Sequence, residues 1–235
     1  MKTECVWEHN GDDSILYSGN FIGAFTRGAS KDEALRKMPR EIEAYSAWSG
    51  KPFAAPFDVE ITQEKPSELN IRDADSDVLF DSERALLTKN EYEALKRLAL
   101  KSARDFFALY EAFPDKNRSV LPERDTFYGK VPRTAEEMYQ HTKNVNAYYW
   151  GEIGIDADNE GTIVENRTRG FEALERMCDF PTDQVFDGSY GEQWTLLKVL
   201  RRFIWHDRIH AKAMYRMGIK TFGMDKIPNV FRFEV

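Results

Sequence analysis

Residues 192–217 read EQWTLLKVLRRFIWHDRIHAKAMYRM, and the fold hangs on how this stretch is understood. Leu196, Leu200, Phe203, Met214 and Met217 recur at steps of three and four, which predicts one long amphipathic helix. His206 and His210 fall in the same stripe. Four residues turn a helix by about 400°, so the two imidazoles share one face, a turn apart. A stripe of this kind packs against a core, which directs both rings inward. Arg201, Arg202 and Arg208 could meet an anionic substrate or a thiol, but arginines on a long helix usually face water, and that is expected here.

Working back from this helix, residues 88–218 predict four helices. Each opens on a threonine or serine followed three residues later by glutamate: Thr88 and Glu91, Thr134 and Glu137, Thr162 and Glu165, Ser189 and Glu192. Such pairs form capping boxes, in which each side chain satisfies the other's backbone N–H. The second helix should run through Met138, His141, Val145 and Tyr148 to Gly151, the third from Ile163 to about Cys178, and the fourth should close at Gly218. The long crossings at 114–133 and 179–189 leave room for an order other than simple up-and-down. Phe222, Val230, Phe231 and Phe233 in the tail suit a terminal strand or an apolar strap.

Residues 1–66 predict a small α+β unit. Val6 and Trp7 mark a first strand, and residues 15–26 (ILYSGNFIGAFT) mark two short strands or one bent one. Ser30 and Glu33 make a further capping box, opening a helix that stops at Gly50 and that Pro39 should kink or split. A last strand is expected at residues 57–62 (FDVEIT). Residues 67–87 form a connector. Asp73, Asp75, Asp77, Asp81 and Glu83 make it acidic and fit a solvated loop, while Val78, Phe80 and Leu87 indicate that it lies along the helical part. The expected fold class is therefore α+β, with an N-terminal module at 1–66, a connector at 67–87, and an all-α unit with a tail at 88–235.

The 235 residues are 42% hydrophobic and 31% charged, which suits a globular chain of one large or two modest domains. A net charge of -7 argues against a general grip on nucleic acid, which needs clustered Lys and Arg. No signal-peptide pattern and no apolar run of about eighteen residues occurs, so a cytoplasmic protein without membrane insertion is expected. Cys5 and Cys178 lack the spacing of a thiolate metal site, and two reduced thiols fit that compartment.

His141 falls at an inward position, three residues after Met138 and four before Val145. A lone inward histidine usually bonds a carbonyl or hydroxyl, but here three of the chain's four histidines take ligand-compatible positions. His141, His206 and His210 are the candidate metal ligands, suited to zinc, nickel or iron with positions left open for water or substrate. His9, in a turn, is expected at the surface. Glu137 could orient a ligand, though capping already explains it, and Tyr148, Tyr149, Trp150 and Trp205 read as core aromatics before pocket residues. No Ser-His-Asp arrangement, phosphate loop or nucleophilic cysteine stands out.

The histidine segments EEMYQHTKNVNAYYWGEIG and RRFIWHDRIHAKAMYRMG resemble the DinB-like (DinB/YfiT) superfamily of four-helix metalloproteins, over about residues 88–218. The resemblance implies an up-down-down-up bundle, a metal triad at His141, His206 and His210, and frequent dimerisation. It also implies a transferase, isomerase or hydrolase activity on a small molecule, in some members with a low-molecular-weight thiol. The segment GNFIGAFTRGASKDEALRKMPREIEAYSAW resembles the HicB-like fold, a truncated relative of ribonuclease H, without the paired carboxylates a nuclease needs. Two other readings stay open: a non-catalytic binding or stress-response protein, and an antitoxin-type interaction module.

Overall fold

The structure is a computed structural model that describes residues 2–11, 13–53, 58–73, 75–126, 129–177 and 180–234. Its N-terminal part is a four-stranded sheet with one long helix. Strands β1 (Lys2–His9), β2 (Ser14–Ser18) and β3 (Phe25–Gly28) form an antiparallel meander, helix α1 (Lys31–Ser49) follows, and β4 (Asp58–Pro66) returns parallel to β1. The sheet order is β3-β2-β1-β4. Residues 15–26 thus give two strands, and β4 runs four residues past the expected end, because residues 63–66 keep pairing with Val6–His9. Phe57, where that strand was expected to begin, and Cys178 lie outside the described residues.

Alternation decides the sheet's two faces. Cys5 and Leu16 point to the face covered by Ala34, Met38, Ile42 and Tyr45 of α1. Val6, Ile15, Tyr17 and Phe25 point to the other, where Ile71, Val78, Phe80 and Trp205 cover them. Pro39 neither ends nor splits α1, which continues from its Ser30 cap to the left-handed Gly50 with Met38 and Ile42 buried on either side. The proline's missing N–H is tolerated because that inward face holds the helix to the sheet.

The C-terminal part is helical: α2 (Lys89–Glu111), α3 (Ala135–Lys143), α4 (Asn146–Gly151), α5 (Ile163–Glu175) and α6 (Leu196–Phe222). Three of the expected capping boxes form, at Thr88 and Glu91, Thr134 and Glu137, and Thr162 and Glu165. The fourth does not. Ser189–Gly191 is a single 3-10 turn with Tyr190 at φ 60°, Gln193–Trp194 pairs as a short strand, and α6 opens six residues past the expected cap, on Thr195, which accepts from the N–H of Lys198. At the far end, Gly218 is interior to α6 and not its cap. A Cβ there would lie 2.6 Å from the ring of Phe113, so the glycine allows α2's end to approach closely. The expected second helix is two, broken at residues 144–145. Asn146 is the reason: its buried amide donates to the carbonyls of Asp158 and Asn166, tying the chain to the next loop and to α5.

Helix α6 packs against α2, α3, α4 and the connector, and Ile204 and Trp205 meet the sheet. Lys198 through Arg208 are all buried. This corrects the expectation for the arginines. Arg201 pairs with Glu83 and donates to the carbonyl of Val78 at 2.9 Å, Arg202 donates to the carbonyl of Ser76 at 2.7 Å, and Arg208 pairs with Glu41 at 2.6 Å. Arg208 also lies over the rings of Tyr45 and Trp48 at 4.9 and 4.8 Å. The connector is therefore not a solvated loop throughout: Val78, Phe80 and Glu83 are buried against α6. The tail forms no strand among the described residues and acts as a strap, with Ile227, Phe231 and Phe233 buried and the Phe231 ring tilted against Trp48 at 5.1 Å. One apolar core extends from Cys5 to Phe233, crossing the boundary expected at residue 66. No helix among the described residues is long and apolar enough to cross a membrane.

Removing one partner of a buried ion pair strands the other charge, which costs about 3–5 kcal/mol. Glu83→Ala should therefore destabilise the fold by about that amount in urea unfolding, while Asp81→Ala, on the exposed side of the same 3-10 turn, should change stability by less than about 0.5 kcal/mol. Equal effects at both positions would show that the Arg201 pair does not fix the connector.

Candidate metal centre

Two elements bring the histidines together. His206 and His210 sit one turn apart on α6, and His141 comes from the last turn of α3, which packs against α6. The ring centroids are 4.4 Å apart for His206 and His210, 4.6 Å for His141 and His210, and 5.2 Å for His141 and His206. One ring nitrogen from each lies within 4.8 Å of the other two, close enough to hold a single metal ion. Burial is graded: His206 is buried, His210 half-buried and His141 exposed. The cluster is deep on the α6 side and open on the α3 side.

The electrostatics keep all three rings neutral at pH 7. Desolvation lowers the pKa of His141. Desolvation and the neighbouring His141 bring His210 down to about 3. His206 is pushed well below the ordinary value, first by desolvation, then by His210 and His141, then by Arg202 and Arg167. Nδ1 of His206 is buried without a hydrogen-bond partner. An imidazole buried neutral, with a free nitrogen beside two more imidazoles, is the donor set of a borderline divalent cation. The residues present thus fit such an ion on their own chemistry.

The surroundings orient the rings. The Tyr149 ring meets His206 edge-on at 5.9 Å, and the indole of Trp205 lies 6.2 Å from it. Arg202, one turn before His206 on the same helix face, is held by the Ser76 carbonyl and the faces of Tyr149 and Trp205. Asp207, next to His206 in sequence, points away into a buried two-pronged pair with Arg167, at 2.5 and 3.0 Å. Sequence spacing alone would not have found this pair, since Arg167 sits on a different helix.

Glu137 is spent as a cap, accepting from the N–H groups of Arg133 and Thr134, and takes no part in the cluster. His9 is half-buried in β1, stacked 3.8 Å from Trp7 and bonded to Glu64. Of the four aromatic residues singled out, Tyr149, Trp150 and Trp205 are core, while Tyr148 is partly exposed. No family model matches the chain, and no curated protein or solved structure does either.

An imidazole that titrates near 6.5 when unfolded and far lower when folded makes the unfolded chain the better proton binder between those values. Stability then rises with pH through that window and falls on acidification below about 6.5, by up to about 1.4 kcal/mol per pH unit for each such ring. Chelator-treated wild-type protein should lose stability between pH 7 and pH 5 more steeply than His210→Gln in parallel urea titrations. Coincident profiles would mean that this ring is not held neutral by the fold.

Proposed function

We propose that the chain is a metal-dependent enzyme of the transferase or hydrolase kind, acting on a small molecule at the three-histidine centre. The observation that carries this reading is the convergence of three neutral imidazoles, from two helices, on one point with one open side. On this reading α2, α3 with α4, α5 and α6 make up a DinB-like four-helix bundle, its second helix broken at residue 144. The N-terminal sheet is then a cover for α6, whichever family it descends from.

A zinc, nickel or iron ion held there supplies Lewis acidity and draws the pKa of a water or thiol toward neutrality. The chain supplies the rest. His206 anchors from the buried side, where Tyr149 and Trp205 restrict its ring and exclude water. His210 stands one turn nearer solvent, and His141 closes the triad at the mouth, so substrate approaches from the α3 side. Arg202 keeps a fixed positive charge one turn below the ligands, which favours an anionic or electron-rich group at the centre. A low-molecular-weight thiol suits the site because coordination favours its thiolate.

Untagged protein purified without added metal should carry about one equivalent of a divalent transition metal by elemental analysis, and His206→Ala should carry far less. The metal-loaded wild type should then turn over at least one member of a panel of electrophiles offered with water or small thiols, and His206→Ala should not. Stoichiometric metal without turnover of any member would favour a binding protein. Absence of metal after loading would remove the site itself.

A further inference from the structure

A concave site lies on a neighbouring face of α6, between that helix, α1 and β3, with Glu234 of the tail at its lip. Its volume is about 470 Å³, inside the range of about 300–1,000 Å³ typical of small-molecule sites. Five basic side chains line it against two acidic ones, on a chain whose net charge is -7. The cleft therefore concentrates positive charge against the trend of the molecule.

What each charge already does decides what remains for a ligand. Arg27 is tied to Asp13 and to the carbonyl of Ile71, and Lys37 to Glu33. Glu41 is taken by the caged Arg208 at 2.6 Å, leaving Lys212 a looser contact of 3.5 Å to the same carboxylate. Arg40 meets Glu234 only at 3.7 Å, with both side chains largely in water, a pair worth little. Arg216 has no ion pair or hydrogen bond among the described residues. Burial lowers the pKa of Lys212 and Glu41 raises it, while Arg216 and Arg208 repel its charge. Arg40 of α1 and Lys212 and Arg216 of α6 thus face one cleft with more positive charge than the protein neutralises. Phe25, Ala44, Ile209 and Ala213 supply an apolar lining beside them.

We propose that this cleft binds an organic phosphate: a small molecule with a dianionic head for Arg40, Lys212 and Arg216 and an apolar body for the surface formed by Phe25 and Ile209. Two guanidiniums and an ammonium match the oxygens of a phosphate, which a single carboxylate cannot engage together. The site does not depend on the histidines, whose side of α6 is turned by roughly a third of a circle from Lys212 and Arg216.

The test is calorimetric titration of the untagged full chain at low salt with phenyl phosphate, inorganic phosphate and benzoate. Phenyl phosphate should bind saturably, more tightly than either of the others, and weaken as salt rises. Arg216→Gln and Lys212→Gln should each weaken it about tenfold or more. Arg216 is exposed, so its variant is expected to fold, which circular dichroism checks. His206→Ala should bind phenyl phosphate like the wild type, and Arg216→Gln should keep its metal, so that this site and the histidine centre stand or fall separately. No saturable binding, binding equal for benzoate and phenyl phosphate, affinity unchanged in both cleft variants, or affinity lost in His206→Ala would each overturn the proposal.

Discussion

Helix α6 is buried on every side from Lys198 to Arg208, and that burial constrains the rest of the molecule. A helix enclosed all round is ordinarily apolar all round. This one carries Lys198, Arg201, Arg202, Asp207 and Arg208 through the interior, so each charge has to be met there. Lys198 donates to the carbonyls of Asp77 and Gln193 and pairs with Glu192, Arg201 pairs with Glu83, Asp207 with Arg167, and Arg208 with Glu41. The partners come from the connector, α5, α1 and the segment before α6. Each pair therefore fastens a different part of the chain to the same axis. Net stabilisation from such pairs is small, since desolvation offsets most of the attraction. Their effect lies in the cost of every arrangement that breaks one, which singles out a register for α6 among its neighbours.

That constraint explains which features were legible in the sequence. Capping is local, and Thr88, Thr134 and Thr162 cap as their neighbours predict, because cap and glutamate lie within one turn. The pair at Ser189 and Glu192 has the same letters but fails: Trp194 pairs with Phe186 immediately before the apolar run, leaving Thr195 as the residue that can cap it. The histidines were legible because phase along a helix fixes which face they share, and α3 packs on α6 where His141 turns inward. The arginines were not. Arg201 and Glu83 are 118 residues apart, and nothing near Arg201 announces that its solvent will be replaced by a carboxylate from the connector. The break at residue 144 was hidden for a similar reason, since the carbonyls that hold Asn146 belong to a loop and to α5.

The N-terminal sheet takes its meaning from the same helix. One face is covered by α1 and the other by Trp205 and the connector's Val78 and Phe80. Gly23, at φ +91°, lies in the turn before β3, where a Cβ would sit 2.4 Å from Ile204. Only glycine meets both the backbone conformation and the closeness. The sheet is thus fitted to α6 and is part of the reason the helix has no wet side between Lys198 and Arg208.

Within this interior of matched charges, the histidine cluster is the place where a group is met by its own kind. A proton there is opposed first by desolvation and then by the neighbouring rings, which is why the pKa values fall. The end of α3 does not rescue it: His141 stands in the last turn, where the helix dipole favours a cation, yet its pKa is still lowered, so desolvation wins. A divalent ion faces the same unfavourable field from Arg202 and Arg167 but differs from a proton in valence. It could be held by all three lone pairs at once, which a proton cannot. The arrangement that disfavours a proton thus leaves three neutral rings whose nitrogens lie close enough to hold a single metal ion, with no carboxylate among the cluster's own members.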